Sequence, residues 1–155
     1  MAGTIDARLA ELGIELPDAP APAANYVPYV QSGNLLFISG QISRDDSGLI
    51  TGKVGAELDT AQGAAAARTC ALALIAQAKA ACDGDLGKIT RVVKLTGFVN
   101  STPDFAEQPQ VINGASDVIA DIFGDKIGAH ARAAVSAASL PFGVSVEIDG
   151  VFEIK

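Results

Sequence analysis

The sequence predicts an α+β fold, a mixed sheet with two helices packed on one face, in the order β-β-α-β-α-β-β. Three observations predict it. Runs rich in Val, Ile, Leu and Thr stand near both ends of the chain and once in the middle, two long segments carry apolar residues at helical spacing, and the stretches between are marked by Gly, Pro, Asn and Asp. A chain of 155 residues, 49% hydrophobic and 19% charged, buries about 70% of its unfolded surface and needs neither a metal nor a disulfide to fold.

Residues 4 to 14 have the pattern of a short helix, and Leu16-Pro17-Asp18-Ala19-Pro20-Ala21-Pro22 then forces an extended path, because each Pro removes a donor and disfavours helix before it. Residues 1–25 are therefore expected to form an arm and residues 26–155 one domain. Tyr26 to Val30 and Leu35 to Ile38 flank Ser32-Gly33-Asn34, a three-residue hairpin signal. Ser43 to Gly48 is a polar turn. Asp59 and Gln62 have capping-box spacing ahead of a run of strong helix formers through Cys82, whose stripe Ala64, Ala67, Ala71, Leu74, Ile75, Ala78 lies close on a sheet. Asp83-Gly84-Asp85 ends it, and Ile89 to Val99 reads as a central strand. Pro109 lies too deep for a helix begun at Thr102, so the second long helix starts at Gln108 or Pro109 and stops at Gly124. Two strands follow, Ala131 to Ala138 and Val144 to Ile154, joined by Leu140-Pro141-Phe142-Gly143.

Composition excludes several functions. Eleven Lys and Arg against eighteen Asp and Glu give a net charge of −7, a field that repels phosphates, and no basic run offsets it. Nucleic acid is thus not an expected partner. The most apolar stretch, Ala64 to Cys82, is interrupted by Arg68, Gln77 and Lys79, so no membrane association is expected. The N-terminus has no basic and apolar leader pattern, which points to the cytoplasm. Cys70 and Cys82 lie about 18 Å apart along one helix, beyond disulfide reach. A lone histidine, His130, and no close Cys pair leave no zinc site.

With both helices on one face, the other face is solvated or covered by another subunit. On the last strand Ser145, Glu147 and Asp149 point opposite to Val144, Val146 and Ile148; on the strand before it Arg132, Ala134 and Ser136 share a side. Arg132 and Glu147 are expected near one cleft, hinged by Leu140-Pro141.

Gly128-Ala129-His130-Ala131-Arg132, Leu140-Pro141 and Val144-Ser145-Val146-Glu147-Ile148 resemble the C-terminal signature of the reactive intermediate deaminase (Rid) family, also called YjgF-like and formerly the endoribonuclease L-PSP family. The resemblance continues at Gly33-Asn34, Ser39-Gly40-Gln41, Phe98-Val99, Asp104-Phe105 and Asn113, and is strongest to a branch with Ala-Asn-Tyr-Val-Pro and His-Ala-Arg motifs. It implies a chorismate-mutase-like fold, a homotrimer with three clefts between subunits, and hydrolysis of short-lived enamines and imines such as 2-aminoacrylate to 2-keto acids and ammonia without a cofactor. The family's carboxylate-binding arginine falls on Arg132, its water-positioning glutamate on Glu147, its substrate-flanking tyrosine on Tyr26 and the glycine of its Ser-Gly-Gln turn on Gly40. Ala134 stands in the substrate pocket where better-characterised deaminases often carry a cysteine, and extra residues lie around Glu107 to Gln110.

The chemistry suits these residue types. A guanidinium is a rigid two-pronged donor that matches a carboxylate and fixes the neighbouring electrophilic carbon, and one carboxylate serves in turn as base for water and acid for the departing amine. The alternative is a trimer that binds a keto acid or similar metabolite without turning it over. RNA cleavage fits poorly, since the net charge is negative and no histidine pair is available. His130 is expected to be structural.

Overall fold

In the computed structural model, which describes residues 3–155, the chain runs α1 (Thr4–Leu12), β1 (Tyr29–Ser32), β2 (Leu35–Ile42), a short hairpin of β3 (Arg44–Asp45) and β4 (Gly48–Leu49), α2 (Thr60–Ala81), β5 (Ile89–Asn100), α3 (Gln108–Gly128), β6 (Ala131–Ala137) and β7 (Val146–Ile154). The main sheet has the order β1-β2-β7-β5-β6, antiparallel except where β6 lies parallel to β5 at the edge. This is the expected α+β arrangement, with a third, shorter helix added.

Local chemistry explains the elements. The Asp59 carboxylate accepts from the Gln62 N–H at 2.8 Å while the Gln62 amide oxygen accepts from the Asp59 N–H at 2.9 Å, so both sides of the capping box close at the head of α2. α3 begins at Gln108 with Pro109 in its first turn, and its regular part breaks at Gly124 (φ 76°, ψ 172°), after which one more helical turn reaches Gly128. The β1–β2 turn has two residues, not three: Ser32 pairs with Leu35, and Gly33 takes the positive φ (62°) that a tight hairpin demands at its first turn position.

The core lies between α2, α3 and one face of the sheet, where Leu36, Leu95, Ile148 and Phe152 meet Leu74, Ile112 and Ile119. α2 and α3 approach at small residues; a methyl on Gly114 would come within 2.9 Å of the Ala64 Cα. α1 buries Ile5 and Leu9 and is held by Arg8 Nε donating to the Asp121 carbonyl at 2.8 Å, so it extends the helical side and leaves the opposite face open. That open face carries Val30, Phe37 and Val135 at 53%, 46% and 44% exposure, large apolar groups in excess of what a solvated sheet needs. Among the described residues no helix is long and apolar enough to cross a membrane. Both cysteines are buried and free.

Candidate functional site

Alternation along β7 sends Val146, Ile148, Gly150, Phe152 and Ile154 to the core and Glu147, Asp149, Val151 and Glu153 to the open face. Opposite Glu147 lies Ile42, and between Ile38 and Gln41 β2 carries one residue more than β7. The extra residue is a bulge at Ser39-Gly40, which shifts the side-chain phase of β2 and sets Gly40 against Glu147. Gly40 is thus not in a turn, as the sequence suggested, and its φ is ordinary. Its lack of a side chain is what matters: a Cβ there would sit 3.0 Å from Glu147 Cδ and 3.2 Å from Cγ. The bulge is tied down by the Ser39 hydroxyl donating to the Val27 carbonyl (2.7 Å) and the Gln41 amide donating to the Ser39 carbonyl (2.9 Å).

Glu147 opens into a cavity of about 430 Å³ lined by Tyr26, Ser39, Gly40, Ile42 and Phe142. Partial burial, with Asp149 on the same face, raises its carboxyl above the usual carboxylate range. Among the described residues no side chain donates to it. Tyr26 is 46% exposed, and its hydroxyl accepts from the Ala23 N–H at 3.4 Å. Phe142 stands at the mouth, 65% exposed and in the left-handed region (φ 60°), a conformation that costs a bulky residue of the order of 1–2 kcal/mol.

Arg132 is elsewhere. Its strand partner is Leu95, a core residue, whereas Glu147 pairs with Phe98 on the open face, so the two side chains leave the sheet on opposite sides. The expectation that they share one cleft within a chain is corrected: parity orders residues within a strand, and the register with β5 decides how two strands relate. Arg132 donates to the Ser116 hydroxyl and to the Pro109 carbonyl, both at 3.1 Å. Ser116 in turn meets His130 Nε2 at 2.8 Å, and His130 Nδ1 meets the Gly128 carbonyl at 2.6 Å. A carbonyl only accepts, so Nδ1 carries a proton, and the Ser116 oxygen accepts from Arg132 while it meets Nε2. This chain orients the guanidinium and leaves most of its donors open at the sheet edge, beside a surface cavity of about 410 Å³. Both ring nitrogens of His130 are engaged within the chain. Ala134 packs against the core and lines neither cavity.

Sequence reasoning missed Ser116, Pro109 and Phe142. Pro109 and Ser116 are seven residues apart, two turns of one helix face, a spacing visible beforehand. Nothing in the sequence marks Phe142 as left-handed. No group of His, Cys, Asp and Glu able to hold a metal occurs among the described residues.

Residues 6–149 match the family model described as "YjgF/chorismate mutase-like, putative endoribonuclease". Protein TCP17 of Trypanosoma cruzi is 53% identical over 154 residues, covering 99% of this chain and 96% of that protein. A 2-iminobutanoate/2-iminopropanoate deaminase of Dermatophagoides farinae is 30% identical, covering 92% and 95% of the two chains. The crystal structure of Atu1372, a protein with unknown function from Agrobacterium tumefaciens, superposes with a TM-score of 0.90 at 54% identity, covering 98% of this chain and 93% of that one.

Proposed function

The chain belongs to the YjgF/chorismate mutase-like family, and from that premise we propose that it is a cytoplasmic homotrimer that hydrolyses small carboxylate-bearing imines and enamines to 2-keto acids and ammonia. The observation that carries the reading is the unpaired, partly buried Glu147 carboxylate held against Gly40 in an open-face cavity beside Tyr26. The likeness to a 2-iminobutanoate/2-iminopropanoate deaminase supports it, as do the exposed apolar residues of the open face, which a neighbouring copy would cover. In this reading Arg132 of one copy, projecting from the sheet edge, meets the Glu147 cavity of the next.

The chemistry then runs in balance. Arg132 grips the substrate carboxylate with two parallel N–H donors and fixes the imine carbon. Glu147 takes a proton from water as its oxygen bonds to that carbon; the C=N π pair moves to nitrogen, and Glu147 passes the proton there, which leaves a neutral carbinolamine and a carboxylate again. The carbinolamine collapses when Glu147 removes the hydroxyl proton and hands it to nitrogen, the C=O forms, and the C–N pair leaves with nitrogen as ammonia. A carboxyl raised by burial above the usual carboxylate range suits both halves of this task better than an ordinary one. RNA cleavage is disfavoured, because the chain carries −7 net charge and both ring nitrogens of its one histidine are engaged.

The test is keto-acid release from an imine generated in situ by an amino-acid oxidase. Acceleration by the wild type and its loss in Arg132→Ala are expected. No acceleration with several amino-acid-derived imines overturns the enzyme reading, and keto-acid binding lost in Arg132→Ala without turnover assigns the chain to metabolite binding instead.

A further inference from the structure

We infer that a second pocket beside the Glu147 cavity is a subsite for a distal anionic group, anchored by Arg44, so that the preferred ligands are dicarboxylic imino and keto acids. The inference deepens the function proposed above and rests on it. The pocket, about 230 Å³, shares Tyr26, Gly40, Ile42 and Phe142 with the Glu147 cavity, so the two are direct neighbours. One water occupies about 30 Å³ of liquid, so the volume holds several heavy atoms of a substrate tail.

The lining defines the chemistry of that tail. Pro20, Pro22, Leu49 and Phe142 make the walls, and proline offers no N–H, so the middle of the recess suits methylene groups rather than hydroxyls or amides. The cation is Arg44, at the base of the β3–β4 hairpin. Its backbone is fixed by Arg44 N–H donating to the Thr69 hydroxyl at 3.2 Å, itself bonded to the Ala66 carbonyl at 2.7 Å. Arg8 and Arg91 donate to protein carbonyls and Arg132 to Ser116 and Pro109; the guanidinium groups of Arg44 and Arg68 have no hydrogen-bond or ion-pair partner among the described residues, and of these two Arg44 is the one that lines the pocket. Adjacent Asp45 turns one carboxylate oxygen to the Ser47 N–H at 2.8 Å, and no carboxylate lies within ion-pair distance of Arg44 among the described residues.

The apolar wall is anchored from within. Gln77 on α2, 1% exposed, donates to the Pro20 carbonyl at 2.7 Å and lies 3.5 Å from the Gln41 amide oxygen. A buried amide committed to one carbonyl fixes the proline-rich segment across the recess. A ligand with its imine carbon at Glu147 therefore meets first an apolar passage, then an unpartnered guanidinium. A short hydrocarbon spacer ending in a carboxylate satisfies both, and in a chain of net charge −7 this cation is a local exception that general attraction for anions does not explain.

Calorimetry on the full chain tests it with two probes of equal carbon length, 2-oxoglutarate and 2-oxopentanoate, which differ in the terminal carboxylate. The dicarboxylate is expected to bind about tenfold more tightly, a ratio that one charge-assisted contact supplies. Arg44→Gln brings the ratio to about one, and Arg44→Glu inverts it; Arg44 is exposed, and an unchanged melting temperature and assembly state exclude a folding defect. Equal binding of the two probes by the wild type, or a preference that survives Arg44→Gln, overturns the subsite. If 2-oxopentanoate binds in an Arg132-dependent manner without any preference for the dicarboxylate, only the subsite falls. If neither probe binds, the reading of the Glu147 cavity falls with it.

Discussion

Replacing Gly40 by alanine isolates the geometry on which Glu147 depends. The added methyl would lie 3.0 Å from Glu147 Cδ and 3.2 Å from Cγ, tighter than ordinary contact, and the neighbour that must yield is the end of a flexible side chain rather than backbone. Two stability terms compete. Overpacking costs about 1–3 kcal/mol where the neighbour is rigid and less where it swings away, while reduced freedom of the unfolded chain returns about 0.4–1 kcal/mol, and the ordinary φ of Gly40 adds no backbone strain. The net is within about 1 kcal/mol, which moves the melting point of a chain this size by about 2–4 °C. The catalytic cost is larger, since displacing a proton-transfer group by about 1 Å costs about 10²-fold. Gly40→Ala should therefore fold and assemble like the wild type and release keto acid from an in situ imine about a hundredfold more slowly. Full activity in that assay would show that the carboxylate does not work from the position seen here.

Two further predictions follow from the same structure. Because the folded state holds the Glu147 proton more tightly than the unfolded chain does, stability falls as pH rises from the ordinary glutamate range through the raised folded value, so Glu147→Gln should melt above the wild type at about pH 8, the gap closing by about pH 4, while activity drops about 10²–10⁴-fold. Scanning fluorimetry across pH checks this, and an equal or lower melting point at pH 8 contradicts it. Gly114→Ala forces backbone against backbone, with the new methyl 2.6 Å from the Ala64 carbonyl carbon, and overpacking of about 1–3 kcal/mol should exceed the helix-propensity gain of up to about 1 kcal/mol; urea denaturation showing a stabilised variant refutes the close helix crossing.

Much of this fold could be read before any coordinates, and the reasons are local. The Asp59–Gln62 box, the Pro109 helix start and the alternation of β7 are set by residues within a few positions of one another, so spacing alone exposes them. The relation of Arg132 to Glu147 is set by two strand registers and the parallel pairing of β6 with β5, none of which any short segment encodes. Gly40 was singled out for a turn and proved to belong to a bulge, because the partner that makes its missing side chain matter lies more than a hundred residues away on β7. Arg44 gave no signal for a similar reason: its significance comes from the proline-rich segment brought over it by a buried glutamine.

Subunit complementation tests most directly whether a site is shared between copies. Arg132→Ala and Glu147→Gln, each inactive alone, are unfolded together, refolded as mixed trimers and assayed for keto-acid release. If each site takes its guanidinium from one copy and its carboxylate from the next around a three-fold ring, random mixing restores both groups at roughly one site in four, and activity should return to about a quarter of the wild-type level. Mixed trimers with no more activity than either parent would mean that the two residues do not meet across a subunit boundary.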